Sequence, residues 1–159
     1  MSSAFSALEQ SAWSTALRDS PGLYTSAGIV HLVGVVVLVG SIVVLDLRLL
    51  GLSREVPVRR LARHVLPWAA ASLLLIVPTG LLMFIAFAGE LIASPVFALK
   101  MCLVLAAIAN AGILHAGAMR GAAAWDTNAV PPLAARAGAA ASLALWISVV
   151  VCGRLLAYR

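Results

Sequence analysis

The chain has 159 residues, of which 63% are hydrophobic and 11% charged, and its formal net charge at pH 7 is +5. A mean hydropathy of +1.06 lies outside the range of soluble globular domains. The basic residues crowd one short segment that contains Arg48, Arg54, Arg59, Arg60 and Arg63. This pattern excludes a broad nucleic-acid-binding face and favours an integral membrane protein, whose cytoplasmic side carries the arginines.

Residues 1–20 predict a short amphipathic helix. Apolar residues such as Phe5, Leu8 and Trp13 recur at helical spacing, and charged residues lie among the positions between them. Such a helix is expected to lie in the plane of the membrane interface. The break at Pro21 and Gly22 separates it from a bundle that we predict over residues 21–159.

Four apolar runs follow, and each is long enough to cross a bilayer, which takes about 20 helical residues. The predicted spans are Leu23–Leu50, Val65–Ala88, Val96–Ala118 and Ala134–Ala157. The sequence therefore predicts an all-α, integral membrane four-helix bundle preceded by a short amphipathic helix.

The predicted loops differ in charge. The first, Gly51–Arg63, contains Pro57, which opposes helix continuation, and holds four of the ten arginines. The second loop, residues 89–95, has no basic residue. We therefore expect a multi-pass protein of the bacterial inner membrane with both termini on the non-cytoplasmic side.

Ionisable residues inside three of the spans are the candidate functional groups. His31, Lys100 and His115 would be costly in the membrane unless each faces protein, water or a cofactor. Helical rise places His31 about 12 Å and Lys100 about 6 Å below the outer boundary, at levels similar to that of Arg154. His115 falls near the inner end, about 16 Å from His31 in depth, which argues against one iron shared by both histidines.

Each of these groups also has a purely structural interpretation. His31 or His115 could be a core histidine bonded to a backbone carbonyl, and Lys100 could extend to the membrane surface. Asp46 and Arg48 could pair at the membrane boundary. His64 follows an arginine at the expected level of the lipid headgroups, where an interfacial role is expected.

Several short motifs occur together in this chain. They are His31-Leu32-Val33-Gly34 with Gly40, Thr79-Gly80, Phe97-Ala98-Leu99-Lys100 followed by His115, and Gly153-Arg154. Over residues 23–158 the set looks most like an uncharacterised family of small four-helix bacterial membrane proteins that resembles the HemJ and CopD type. In the HemJ-type protoporphyrinogen oxidases, the histidine of the first helix and the lysine of the third are the functional pair, with haem b as the proposed cofactor. Carried over by motif, the resemblance implies these roles for His31 and Lys100.

The leading hypothesis is a haem b-binding membrane protein in electron transfer, with quinone or a redox protein complex as partner. His31 would be an axial ligand of the metal, Lys100 or His115 would complete the coordination or lie beside it, and Arg154 would bind a propionate. The alternatives are a cofactor-free accessory subunit of a larger complex and a HemJ-like oxidase. Small residues spaced four apart, such as Ala107 and Ala111, favour close packing of helices in lipid. We therefore expect the protein to be an oligomer or a subunit of a complex.

Overall fold

The computed structural model describes residues 11–157, which are helical apart from short connections. The elements are α1 (Ala12–Asp19), α2 (Pro21–Leu50), α3 (Val58–Ala86), α4 (Ala88–Ala93), α5 (Pro95–Ala116), a 3-10 helix (Ala118–Trp125) and α6 (Leu133–Leu156). Four of them, α2, α3, α5 and α6, are long and apolar enough to cross a membrane. The predicted all-α, four-span bundle is confirmed. Residues 1–10 of the predicted amphipathic segment lie outside the described residues.

The four long helices form two pairs, α2 with α3 and α5 with α6, and the pairs join where α2 packs against α6. Within the described part of the chain, no Cα atom of α3 comes within 8 Å of one in α5. The rings of Phe84 and Phe97 stack across this side, with centroids 5.6 Å apart. Backbone contact between the two pairs is therefore close on the α2–α6 side, while on the other side α3 and α5 meet through these two rings.

Small side chains bring α2 and α3 together. α3 buries a residue at alternating steps of four and three positions: Val58, Ala62, Val65, Ala69 and Ser72. On α2, Gly34 faces this row, and a Cβ there would lie 2.7 Å from Cγ1 of Ile76. Close approach of small residues is how helices pack in lipid, where no hydrophobic effect drives them together.

The start of α3 differs from the prediction, because residues 58–63 are helical and do not belong to the loop. Positively charged arginines in the first turn of a helix destabilise it, because the helix dipole is positive at its N-terminus. Asp126 offsets this: its Oδ1 accepts from the backbone N–H of Arg59 at 2.8 Å, and its carbonyl accepts from that of Val58 at 3.0 Å. The cap comes from a distant loop, so the local sequence could not indicate it.

Arg48 holds the two loops at this end of the bundle together. Its side chain is 2% exposed. Nε donates to the carbonyl of Val56 at 2.7 Å, while Nη2 donates to those of Arg54 at 3.2 Å and Asp126 at 3.0 Å. We call this set the Arg48 clamp. The guanidinium therefore donates its hydrogen bonds to loop carbonyls. It does not form the ion pair with Asp46 that the sequence suggested as one alternative.

The two ends of the bundle are built differently. The main hydrophobic cluster lies at the Arg48 end, where Leu49, Val58 and Trp125 are buried together. At the opposite end, which we call the α4 end, α1 packs under α3. Ser14 Oγ donates to the carbonyl of Ile85 at 3.4 Å and Arg18 Nη1 to that of Ala86 at 3.3 Å. These donors satisfy carbonyls that the last turn of a helix leaves unpaired.

Candidate functional site

His31 is half-buried on α2, and its ring is fixed by α3. Nδ1 lies 3.1 Å from the carbonyl oxygen of Ile76 and 3.1 Å from Oγ1 of Thr79. A carbonyl oxygen can only accept, so Nδ1 must carry the proton in this arrangement. Nε2 then holds the lone pair of a neutral ring, and it has no hydrogen-bond partner in residues 11–157.

Thr79 and Gly80 shape the place where this ring sits. The Thr79 hydroxyl donates to the carbonyl of Leu75 in its own helix, which leaves its oxygen free to accept from the His31 N–H. A Cβ on Gly80 would lie 3.0 Å from Cε1 of His31. Glycine at position 80 therefore gives the imidazole room to lie against α3.

Lys100 reaches the same region from the other helix pair. It is half-buried on α5, and its Nζ lies 3.8 Å from where a Cβ on Gly153 would be. Its ammonium group is near enough to the His31 ring to act on it electrostatically. The structure thus places His31 and Lys100 in the same, α4 half of the bundle, with both side chains half-buried.

The other predicted site residues lie elsewhere. His115 is exposed, and its Nδ1 donates to the carbonyl of Ala111, one turn earlier, at 2.8 Å. It comes fifteen residues after Lys100 on the same helix, which is about 22 Å along the axis. The structure therefore does not bring His115 to His31. Arg154 is exposed near the α4 end and directly follows Gly153, so it lies at the same end as Lys100.

Asp46 is a polar residue in the interior that the sequence analysis did not assign to a site. Its side chain is 2% exposed, Ser142 of α6 hydrogen-bonds to it, and Oδ2 has no partner among residues 11–157. An ionised carboxylate removed from water costs several kcal/mol unless it is paired. The sequence feature that could have indicated this residue is an acidic side chain within an apolar run.

Potential metal ligands are sparse. The described residues contain no cluster of three or more His, Cys, Asp or Glu side chains placed to hold a metal ion. Both cysteines are free thiols, with Cys102 exposed and Cys152 buried.

No curated protein and no solved structure matches the chain. A family model does match, and it covers residues 6–159, nearly the whole sequence. The chain belongs to this family, which is described as a family of unknown function, DUF6644.

Proposed function

We propose that this protein binds haem b in the bacterial inner membrane and passes electrons to or from a quinone or a partner redox protein. His31 would ligate the iron, Lys100 would lie beside it or complete its coordination, and Arg154 would bind a propionate. The motif resemblance to the HemJ and CopD type supports the same two interior residues. In this proposal the Arg48 end faces the cytoplasm, in agreement with the arginine distribution.

The observation that carries the proposal is the orientation of the His31 ring. Histidines that ligate a metal commonly donate their other ring N–H to a backbone carbonyl, which fixes the tautomer and raises ligand basicity. His31 donates in this way to Ile76, and Nε2 is left with its lone pair. A neutral imidazole nitrogen is a standard ligand of haem iron.

The helix arrangement gives weaker support. Among the described residues, no Cα atom of α3 lies within 8 Å of one in α5, and we place the planar group on this side, between the two helix pairs. A Cβ on Gly28, one turn before His31, would meet nothing within 4 Å. Bundle cores commonly hold cofactors between facing helices in this manner.

Bound haem b supplies reversible one-electron chemistry at its iron. The residues of the chain provide the surroundings. Thr79 and Ile76 hold the His31 ring, Gly80 leaves space for it, and the aromatic pair covers the region from the α4 end. Lys100 adds a nearby positive charge, which would favour the more electron-rich state of any group bound there.

A cofactor-free accessory subunit is the second candidate, and one observation favours it. Among the described residues, α5 buries only Ala107 and Leu114, although the helix has 22 residues. Its broad exposed apolar surface could pack against another membrane protein. A HemJ-like oxidase is the third candidate and would in addition consume protoporphyrinogen.

The absorbance spectrum of the protein separates these functions. The full chain should be purified in mild detergent from cells supplied with a haem precursor. A Soret band and a sharp α band after reduction support haem b, whereas pure, folded protein without either band favours the accessory subunit. Turnover of protoporphyrinogen by the same preparation would identify the oxidase.

A further inference from the structure

A second polar site lies in the other half of the bundle. Asp46 of α2 is four residues from the helix end at Leu50, about 6 Å along the axis. Its carboxyl accepts a hydrogen bond from the buried Ser142 of α6, and its Oδ2 atom is unpartnered within residues 11–157. A carboxyl group of α2 and a hydroxyl group of α6 therefore lie next to each other where these two helices pack together.

The described residues supply no positive charge to balance an ionised Asp46. On the same helix, the Arg48 guanidinium bonds loop carbonyls. On α3, the buried Ser72 bonds Ala69 of its own helix. The charged or titratable residues His64, Arg63 and Arg136 of the packed helices are exposed, and no Cα atom of α5, which carries the exposed His115, lies within 8 Å of one in α2 among the described residues. Among all these groups, only Ser142 interacts with the carboxyl.

We propose that Asp46 and Ser142 form a proton-binding site in this half of the membrane domain, and that the carboxyl holds its proton in the resting protein. Ser142 donates to one carboxyl oxygen, and the proton resides on the unpartnered Oδ2. A neutral acid in this apolar setting costs far less free energy than an unpaired carboxylate. Ionisable groups held this way inside a bundle mark proton relays in membrane proteins.

The site is independent of haem. The site binds a single proton. When Asp46 releases this proton, the remaining carboxylate must be solvated by water that enters from the nearby Arg48 end. Exchange with that end is the expected route, because the helix terminates one turn away.

Labelling with dicyclohexylcarbodiimide in membranes tests the proposal. The acid proton moves to a carbodiimide nitrogen as the carboxyl oxygen bonds to the central carbon, and rearrangement gives a stable N-acylurea that keeps every atom of the reagent. We expect one added reagent per chain, located at Asp46 by peptide mass spectrometry and absent in Asp46→Asn. The exposed Glu55 is the matched control and should react only with a water-soluble carbodiimide and an amine.

Infrared spectroscopy gives an answer even if the reagent cannot reach the site. At neutral pH, the spectrum of wild type minus that of Asp46→Asn should contain the C=O stretch of a protonated carboxylic acid, and Asp46→Glu should restore it. Ser142→Ala should shift the band. Absence of the band in folded wild type, or labelling that persists in Asp46→Asn, would overturn the proposal.

Discussion

The Nδ1 atom of His31 lies 3.1 Å from the carbonyl oxygen of Ile76, a group that can only accept a hydrogen bond. The orientation and tautomer of the ring are therefore set by the helix opposite, not by its own. In the proposed haem site, His31 would therefore bind the iron while Ile76 and Thr79 orient its ring, and substitutions of these two kinds should have different effects.

Replacement of the proposed ligand comes first. His31→Ala should abolish the Soret band while the protein still inserts and folds, because the proposed haem iron would lose its imidazole ligand. His64→Ala is the matched control, since His64 is exposed near the start of α3 and should not affect haem content. Haem per chain is measured by absorbance after purification. Unchanged haem content in His31→Ala would eliminate this residue as the ligand.

Gly80→Ala should disturb the ring without removing it. The new Cβ would lie 3.0 Å from Cε1 of His31, so the imidazole must move from its place against α3. We expect weaker haem retention and a shifted spectrum, measured during dilution in detergent. Gly112→Ala on α5 is the control, because a Cβ there meets nothing within 4 Å. Equal behaviour of the two variants would show that contact with Gly80 does not position the ring.

A larger side chain at Gly34, where α2 packs against α3, should destabilise the protein. A Cβ at this position would lie 2.7 Å from Cγ1 of Ile76, and overpacking of this kind costs about 1–3 kcal/mol. Gly34→Ala should lower the thermal midpoint, whereas Gly40→Ala, whose Cβ meets nothing within 4 Å, should leave it unchanged or raise it. The measurement is thermal unfolding in detergent, and a stabilised Gly34→Ala would contradict the close packing described here.

The Arg48 clamp should contribute strongly to stability. Arg48→Gln removes charge-assisted hydrogen bonds to three carbonyls, and we expect a loss of about 2–4 kcal/mol in the free energy of unfolding. Arg60→Gln, at an exposed position on α3, should change stability little. Reversible unfolding in mixed micelles compares the two. Similar small losses in both variants would mean that the clamp adds little.

Orientation can be read by cysteine labelling. In a background with Cys102 and Cys152 replaced by alanine, Glu90→Cys should react with a membrane-impermeant thiol reagent added to intact spheroplasts. Glu55→Cys should react only after the membrane is opened. Both positions are exposed in the structure, so accessibility within the protein does not limit either reaction. The reverse pattern would show that the Arg48 end faces outward.

The apolar runs were sufficient to predict the number and order of the spans, because crossing a bilayer demands length and hydrophobicity that few other structures need. The start of α3 could not be predicted in this way. Arg59, Arg60 and Arg63 have the composition of a loop, and the residue that caps the helix, Asp126, lies 67 residues beyond Arg59. A boundary fixed by a tertiary contact has no local signal.

The candidate site was predictable only in part. His31 and His115 give the same signal, a lone histidine in an apolar run, yet one faces the interior and the other bonds its own helix at the surface. The difference depends on which face each helix buries, and α5 buries so little of its surface that its pattern indicates no clear face. The tautomer of His31 depends on Ile76 and so could not be predicted from its own helix.

The Arg48 clamp joins segments that are synthesised far apart in time. The carbonyls of Arg54 and Val56 leave the ribosome soon after Arg48 itself, but that of Asp126 follows only when α5 has been made. Until then the first helical hairpin has a guanidinium with one acceptor missing and an α3 N-terminus without its cap. The loop that follows α5 therefore supplies the last contacts of the first hairpin, which can form only after three of the four long helices have been synthesised.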